Sequence, residues 1–259
     1  MPTADAAPVL VFDLDETILR VNSFPLWVRF LIAGRLPGLG WRRRALLSMR
    51  AQQLLLRRKL GRLSHDALRW RLQLAWQIAT GHRRERFVTR FQTRLLREVR
   101  GNLQPLLAMV AAGQIDAVLA TAAGVEYAEG LGRRMGFRHV LASRHDGDAA
   151  TLANSGSRKR DRVLQFLREH GWSGRKLMLF TDHLDDLPLM QQSDAVCWFG
   201  PDATMATAHA LAAGPRFVHG RDLDGDTLVA LLDGVALLDR LPVAAADQPA
   251  GAWRAMTAA

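Results

Sequence analysis

The sequence predicts an α/β protein in which a doubly wound parallel sheet carries an inserted all-helical segment. From residue 103 onward, short apolar runs alternate with amphipathic segments, a pattern typical of parallel strands joined by crossover helices. Residues 22–100 contain no convincing strand and show helical periodicity instead. A further apolar run, VLVF at Val9–Phe12, precedes the helical segment and indicates a buried first strand. The sheet is therefore predicted to be interrupted after its first strand.

The composition is that of a globular protein. Of the 259 residues, 49% are hydrophobic, which is enough for a packed core in one large domain or in a domain with an insertion. Cys197 is the only cysteine, so an internal disulfide framework and a cysteine-cluster metal site are excluded. The first ten residues lack the basic start of a secretion signal, and no run of about 18 uncharged apolar residues occurs. These observations predict a cytoplasmic protein.

The net charge of +10 is concentrated in the helical segment. Residues 41–100 contain 17 Lys or Arg and 3 acids, whereas the rest of the chain has a net charge of −4. Such a segment can simply be solvated, or it can attract a phosphorylated metabolite, anionic lipid or nucleic acid. Four tryptophans in and before this region suit a membrane interface as well as a base-stacking surface, and suit a helical core better still: Trp27, Trp41, Trp70 and Trp76. Nucleic acid is not expected as a partner.

The helical segment is predicted to hold three or four helices over residues 21–100. Apolar residues of its last stretch recur at every fourth position, on one face of a helix: Phe87, Phe91, Leu95 and Val99. Gly81 and Gly101 bracket that helix. Breaks are predicted near Pro37 and Gly38 and near Gly61, because proline and glycine disfavour a continuing helix.

The second part of the chain supplies the remaining strands and their helices. Strands are predicted at residues 116–120, 139–142, 176–180, 195–199 and 216–218. Helices are predicted near residues 124–135, 159–170, 184–192 and 203–213. The sheet unit would comprise residues 1–20 and 101–235, with the helical insertion at 21–100. Residues 236–259 are Ala-rich and aperiodic and are expected to be mobile.

Polar side chains collect where the predicted strands end. The VLVF run is followed by two carboxylates, Asp13 and Asp15, with Thr17 two positions further on. Another strand ends at Thr121, and Lys159 begins a later helix. The strand at 176–180 runs into three more acids: Asp182, Asp185 and Asp186. Because open parallel sheets bind ligands at the carboxyl ends of their strands, these side chains are expected to meet.

Five carboxylates at one edge of a sheet require a counter-charge. Like charges a few ångströms apart repel each other and raise each other's pKa, so the acids cannot all stay ionised alone. A hard divalent cation such as Mg²⁺, which prefers oxygen ligands, resolves this repulsion. The sequence therefore predicts Mg²⁺ as a cofactor.

The motifs also resemble those of a known family. In order, DLDET at 13–17, Thr121, Lys159 and TDHLDD at 181–186 resemble the four motifs of the haloacid dehalogenase-like (HAD) hydrolase superfamily, over about residues 8–220. The chain is most similar to the phosphoserine-phosphatase-like branch. The resemblance implies a Rossmann-like core, a helical cap of the C1 type and Mg²⁺-dependent phosphatase activity. Three positions depart from the pattern, namely Glu16 where glycine is commonest, Thr181 before the first acid of the last motif, and Asp185 where asparagine is frequent.

The resemblance implies a role for each matching residue. Asp13 would be the nucleophile that takes the phosphoryl group, and Asp15 would be the acid and base. The metal would be held by oxygens of four residues: Asp13, Asp15 (through its main-chain carbonyl), Asp182 and Asp186. Asp185 would lie beside them, and which of Asp185 and Asp186 comes closer to the metal stays open. Phosphate oxygens would be bound by Thr17, Thr121, the main-chain N–H of Ala122, and Lys159.

Each motif also has a purely structural interpretation. Asp13 and Asp15 could form a solvated turn, and the acids after Thr181 could cap a helix start. Thr121 could be an ordinary strand-end hydroxyl, and Lys159 one cation of a solvated, arginine-rich helix start. His183 is expected at the surface or behind the metal ligands. The occurrence of all four motifs in order favours the catalytic interpretation.

The leading functional hypothesis is a phosphatase that hydrolyses the phosphomonoester of a small metabolite through an aspartyl phosphate. Haloacid dehalogenation is disfavoured, because that reaction requires neither a metal nor the second acid, Asp15. A phosphomutase is a weaker alternative. So is a non-catalytic protein that uses its basic insertion to bind nucleic acid or a membrane.

A further alternative is a phospholipid headgroup phosphatase of the phosphatidylglycerophosphate type. The stretch FPLWVRFLIAGRLPGLGW, followed by Arg42, Arg43 and Arg44, is apolar but interrupted by arginines, which suits the surface of a bilayer and not its interior. In composition it resembles the cap entry of bacterial phosphatidylglycerophosphate phosphatases. The competing hypothesis is that its apolar side chains pack one helix onto the next: Phe24, Leu26, Trp27, Phe30 and Leu31.

Overall fold

The computed structural model describes residues 7–32, 39–81, 84–144 and 153–236. Their core is one parallel sheet of six strands: β1 (Val9–Phe12), β2 (Ala117–Gly124), β3 (His139–Ser143), β4 (Leu177–Thr181), β5 (Ala195–Trp198) and β6 (Arg216–His219). The strands lie in the order β3-β2-β1-β4-β5-β6, so the first strand of the chain is central.

The VLVF strand is covered on both faces. Its neighbours in the sheet are β2 and β4. Leu10 and Phe12 pack into one hydrophobic cluster, and Val9 and Val11 pack into a second cluster on the opposite face. A strand that is buried on both faces requires a continuous apolar run, whereas a half-exposed strand would alternate.

Within the described residues, four helices lie between β1 and β2: α1 (Ser23–Ile32), α2 (Trp41–Lys59), α3 (His65–Thr80) and α4 (Arg84–Leu96). The predicted break at Gly61 is present, with a φ of 70° that suits glycine. Ser64 then caps α3 by accepting from the Ala67 N–H at 3.1 Å. The predicted break at Pro37 and Gly38 lies outside the described residues.

The prediction that the last of these helices extends to Val99 is wrong. Helix α4 ends at Leu96, and Val99 instead forms an antiparallel bridge with Leu19. Two main-chain hydrogen bonds of 2.9 Å flank that bridge. The two linkers between the sheet and the helices thus pair with each other, a tertiary contact that helical periodicity does not reveal.

In the described part of the chain after residue 103, six helices cover the two faces of the sheet: α5 (Gln104–Ala111), α6 (Val125–Arg134), α7 (Gly156–Glu169), α8 (Leu187–Met190), α9 (Asp202–Ala212) and α10 (Gly225–Ala236). Helices α5, α6 and α10 pack on the face of Leu10 and Phe12, and α7, α8 and α9 on the opposite face. The predicted doubly wound α/β fold is therefore confirmed.

Three elements differ from prediction. The helix expected at 184–192 is divided into a 3₁₀ turn (Leu184–Asp186) and the short α8, and neither α5 nor α10 was predicted. Residues 237–259, which make up most of the tail predicted to be mobile, lie outside the described residues. Among the helices described, none is long and apolar enough to cross a membrane.

An aromatic cluster joins the helical insertion to the sheet unit. It is formed by rings from α1, α3, α4 and α6: Trp27, Phe30, Trp76, Phe91 and Tyr127. Its ring centroids lie 4.8–5.9 Å apart, within the range of favourable aromatic pairs. Beside it, Gly130 of α6 leaves room for the Gln92 side chain, which a Cβ at that position would overlap. The insertion is therefore packed firmly on α6.

Candidate active site

The loop after β1 begins with Asp13, whose N–H donates to a main-chain carbonyl of β4 at 2.9 Å. The chain then makes a wide helical turn (Leu14–Ile18), in which Glu16 has a φ of 57°, in the left-handed region that favours glycine. Arg100 holds this turn by donating to Glu16 O at 2.8 Å and to Thr17 O at 2.9 Å. Glu16 is also the position at which the resembled family most often has glycine.

Lys159 lies between two carboxylates in the interior of the site. Its Nζ is 2.7 Å from Asp13 Oδ1 and 2.8 Å from Asp186 Oδ2, and only 2% of the residue is exposed. Burial lowers the pKa of Lys159, but the two carboxylates more than offset this effect and hold the pKa above its usual value. Thr181 Oγ1 donates to the same Asp186 oxygen at 2.7 Å. Asp186 is therefore committed to Lys159 and Thr181.

Asp13, which is buried, and Asp182, which is half-buried, are acids whose ionisation is disfavoured. Burial raises the pKa of Asp13 to about 7, with Lys159 opposing the shift and Asp186 adding to it. Burial, followed by the charge of Asp13, raises the pKa of Asp182 to about 8. Asp182 Oδ1 also accepts from Thr17 Oγ1 at 3.1 Å. A pair of this kind favours a bound cation, which would stabilise both ionised carboxylates.

Asp15 has a different environment from Asp13. Its Oδ1 accepts from the Ser23 N–H at 2.8 Å, at the start of α1. Ser23 Oγ lies 2.8 Å from Tyr127 Oη on α6. Burial raises the pKa of Asp15, whereas the Ser23 hydrogen bonds and the charge of Arg69 lower it. The second acid is thus held by a residue of the helical insertion that the sequence motifs did not identify.

Asp185 and His183 lie at the rim of the site. Their side chains are 74% and 66% exposed, and His183 Nδ1 is 3.5 Å from Asp185 Oδ2. The same nitrogen accepts from the Asp185 N–H at 3.1 Å and so caps the short turn after β4. The expected surface position of His183 is observed, and Asp185 is not part of the buried carboxylate group.

Thr121 lies near the end of β2, where its Oγ1 accepts from the Ala123 N–H at 3.0 Å. Asn154 is fully buried beside it and donates to Thr121 O at 3.1 Å and to Leu141 O at 2.7 Å. The amide therefore joins β2 to β3 next to the site. Sequence analysis missed Asn154, because no motif distinguishes it from other polar loop residues.

The predicted site residues line one cavity of about 230 Å³, except Thr17, which is fully buried and bonded to Asp182. Asn22 and Arg69 also line it, from the side of the helical insertion. Arg69 Nη1 donates to Ala122 O at 3.1 Å, and its guanidinium carbon lies 4.9 Å from the centroid of the Phe24 ring. No sequence signal could single out this residue among the 17 basic residues of 41–100.

The donors suit a hard divalent cation that takes few protein ligands. In the part of the chain described, no group of three or more Asp, Glu, His or Cys side chains is arranged to hold an ion. The predicted metal set comprises the carboxylates of Asp13, Asp182 and Asp186 and the main-chain carbonyl of Asp15, and all four residues line the pocket. Asp186 Oδ2 accepts from both Lys159 and Thr181, so Asp13 and Asp182 are the carboxylates with most capacity left for a cation. Mg²⁺ fits this oxygen pair, since it is commonly bound by one or two carboxylates together with water and substrate phosphate.

The model of the haloacid dehalogenase-like hydrolase family matches residues 10–191. No curated protein sequence matches the chain. A solved structure of a protein of unknown function from Bordetella pertussis Tohama I is similar over 83% of this chain and 99% of its own, with a TM-score of 0.65 and 18% identity.

Two other similar structures are described as phosphoserine phosphatases, one of them as a probable one. A probable phosphoserine phosphatase from Vibrio cholerae is similar over 93% of this chain and 69% of its own, with a TM-score of 0.60 and 14% identity. A phosphoserine phosphatase described as a phospho-aspartyl intermediate analogue is similar over 87% of this chain and 98% of its own, with a TM-score of 0.54 and 10% identity. At these identities the likeness shows a shared fold.

Proposed function

This chain belongs to the haloacid dehalogenase-like hydrolases, and from that membership we propose that it hydrolyses a phosphomonoester through an aspartyl phosphate, with Mg²⁺ as cofactor. One observation carries the proposal. A single pocket holds two carboxylates in different environments, Asp13 against Lys159 and Asp15 against Ser23. Such a pair can divide the roles of nucleophile and acid between them.

In the first step, a carboxylate oxygen of Asp13 attacks the phosphorus atom and the ester P–O bond breaks. Asp15 donates its proton to the leaving oxygen, a role supported by the raised pKa of this half-buried acid. In the second step, Asp15 takes a proton from water, the water oxygen attacks phosphorus, and Asp13 and inorganic phosphate are released. Asp13 is the group that bears the phosphoryl between the two steps.

The surrounding residues would offset negative charge. Lys159 would lie beside both Asp13 and the phosphoryl oxygens, and Thr121 and the Ala122 N–H would bind those oxygens. When bound, Mg²⁺ would reduce the repulsion between the nucleophile and the substrate's own negative charge. Thr17 donates to Asp182 in the structure, so a contact with phosphate would require it to give up that bond.

The substrate is proposed to be a small phosphorylated metabolite. The pocket of about 230 Å³ is lined mainly by polar side chains, with Asn22 and Arg69 on the side of the helical insertion. These two residues would face the leaving group, which favours a polar or anionic one. Two proteins of the same fold are described as phosphoserine phosphatases, which supports phosphomonoester hydrolysis here.

The test is phosphate release from an aryl phosphate by the purified full chain, with and without Mg²⁺. We expect Asp13→Asn to lower the rate by at least about a thousandfold, because the nucleophile is lost. Asp161→Asn is a matched control, because this substitution makes the same charge change at an exposed position of α7 outside the pocket. Activity that survives Asp13→Asn, or that is lost equally in the control, would contradict the mechanism.

The structure also favours a second candidate, action on a substrate at an anionic lipid surface. A groove of about 750 Å³ between α2 and α3 is lined by apolar residues and three arginines. Large apolar side chains project beside it, including Trp41 at 71%, Leu46 at 62% and Ile78 at 75% exposure. Helix α2 carries no acids in its sequence WRRRALLSMRAQQLLLRRK. An exposed apolar face on a basic helix suits anionic lipid better than nucleic acid.

This surface differs from the one expected from the sequence. Trp27 and Phe30, proposed to contact lipid, are 2% and 6% exposed and pack in the aromatic cluster. Phe24 and Leu26 are partly buried against hydrophobic clusters. The competing hypothesis of helix packing therefore holds for these four residues, and the side chain of Leu31 is outside the described set.

Co-sedimentation with vesicles tests the second candidate. We expect the protein to bind anionic vesicles more than neutral ones at low salt, and Ile78→Ser to reduce that binding by removing an exposed apolar group. Changing Arg42, Arg43 and Arg44 to Gln should reduce it further, because each cation near a charged membrane contributes about 1 kcal/mol. Equal binding to both vesicle types would end this candidate.

A further inference from the structure

A second cavity, of about 620 Å³, lies beside the catalytic pocket. Its lining comes from the segments that follow β1, β4, β5 and β6, so it lies at the same carboxyl edge of the sheet, where parallel sheets bind ligands. The two cavities share three lining residues: Glu16, Asp182 and His183. The proposed reaction makes no use of this second cavity.

Three arginines line the second cavity: Arg20, Arg100 and Arg221. Arg20 and Arg100 adjoin the bridge that pairs the two linkers of the helical insertion, and Arg221 follows β6. The guanidinium carbon of Arg100 lies 5.3 Å from the centroid of the Phe199 ring, and Arg221 Nε donates to Phe199 O at 2.6 Å. Guanidinium groups from three separate parts of the chain therefore surround one space.

These guanidinium groups retain unused hydrogen-bond donors. Each arginine has five N–H donors. Arg100 uses Nε and Nη2 to hold two main-chain carbonyls of the loop after β1, and Arg20 Nη2 donates to a main-chain carbonyl at 3.3 Å. Within the described residues, the structure shows no hydrogen-bond acceptor for the other guanidinium nitrogens of Arg20 and Arg100. The same holds for the two terminal nitrogens of Arg221, whose Nε alone is bonded.

The lining has an excess of positive charge. Two acids, Glu16 and Asp182, stand against the three guanidinium groups, while Glu98, outside the lining, is 3.9 Å from Arg20. Burial, followed by the charge of Arg221, lowers the pKa of Arg100, with Arg20 adding to the shift and Asp182 and Glu16 opposing it. The three cations therefore repel one another. A divalent anion among them would relieve the repulsion and accept the remaining N–H donors.

We propose that this cavity is a second oxyanion site, in which Arg20, Arg100 and Arg221 bind a free divalent anion of the phosphate or sulfate type. The bound anion joins both linkers of the helical insertion to the loop after β6. It also acts on the catalytic loop, because Arg100 holds two main-chain carbonyls of that loop. Gly200, in the cavity wall, lies so close to the main-chain carbonyl of Asp182 that a Cβ at position 200 would overlap that oxygen.

The experiment uses the full chain without metal, and sulfate as the anion. Sulfate contains no phosphate ester, so the proposed reaction cannot consume it. Sulfate affinity is measured by calorimetry at constant ionic strength, and hydrogen exchange of residues 19–22 and 97–100 is compared with and without sulfate. Arg221→Gln and Arg20→Gln each remove one cation of the site. Arg168→Gln removes the same charge from an exposed position of α7 and is the matched control.

We expect sulfate to slow exchange in both linkers. Arg221→Gln and Arg20→Gln should weaken sulfate binding by about tenfold or more and abolish the slowing, because a charge-assisted hydrogen bond is lost. Arg168→Gln should keep both effects. The proposal is overturned by unchanged affinity in the two site variants, by equal weakening in the control, or by binding that leaves linker exchange unaltered. The measurement includes neither substrate nor Mg²⁺, so its result does not depend on whether the proposed phosphatase activity exists.

Discussion

Lys159→Met removes the cation that lies 2.7 Å from Asp13 and 2.8 Å from Asp186. Methionine is of similar length and can occupy the same buried volume, so the change mainly removes charge. Removing one partner of a buried ion pair lowers the free energy of unfolding by about 3–5 kcal/mol, because the other charge is left unpaired. In a chain of this size, about 2–4 °C of Tm is lost per kcal/mol, which gives a decrease of roughly 6–20 °C.

The decrease should depend on pH. In the folded protein the pKa of Asp13 is about 7, above its ordinary 3.8. Between these values the folded state binds more protons than the unfolded state, so stability falls as pH rises. Lys159 opposes that shift, and without it the pKa of Asp13 rises further. At low pH the carboxylate is then neutralised by protonation, so we expect a smaller decrease at pH 5 than at pH 8.

Thermal unfolding followed by circular dichroism, with chelator present at both pH values, measures the effect. Lys176→Met is the matched control, because it disrupts a partly exposed ion pair with Asp194 at 3.3 Å. A pair of that kind contributes about 0–1 kcal/mol. Equal losses in the two variants at pH 8, or a loss in Lys159→Met that does not grow with pH, would refute the reasoning.

Other predictions concern the cation, the insertion arginine and the buried amide. Adding Mg²⁺ to metal-free protein should raise Tm more at pH 8 than at pH 6, because Asp13 and Asp182, with pKa values of about 7 and 8, must lose their protons to bind it. Equal shifts at both pH values would contradict this. Arg69→Ala should raise KM by about tenfold with a smaller change in kcat, and Arg69→Lys should be intermediate in steady-state kinetics. Asn154→Ala should lower the free energy of unfolding by about 2–4 kcal/mol in urea titrations, because two buried carbonyls lose a donor.

The fold and the sheet-borne half of the site could be predicted from the sequence because their signals are local. Each strand is a short apolar run, and the acids of the site lie in the segments that follow two of these runs. Parallel topology then brings the carboxyl ends of separate strands to one edge. Asp13 and Lys159, 146 positions apart in sequence, are in contact for this reason.

The contribution of the helical insertion could not be predicted in the same way. Ser23 bonds Asp15, and Arg69 bonds Ala122, only because α1 and α3 pack at particular angles on the sheet unit. Periodicity shows which face of a helix is apolar, but not which polar residue at its edge meets another element. The pairing of Val99 with Leu19 escaped prediction for the same reason.

The central place of β1 in the sheet affects the order in which the protein can assemble during synthesis. Val9 is paired with β4 at Leu177, 168 positions later in the chain. At about 5–20 residues per second, a ribosome needs roughly 8–34 s to make that interval. The first strand therefore emerges long before its partner, while the residues of α1, α2, α3 and α4 are made in between. The nascent chain can form its helices early, but Asp13 gains Lys159 and Asp186 only after most of the polypeptide has left the ribosome.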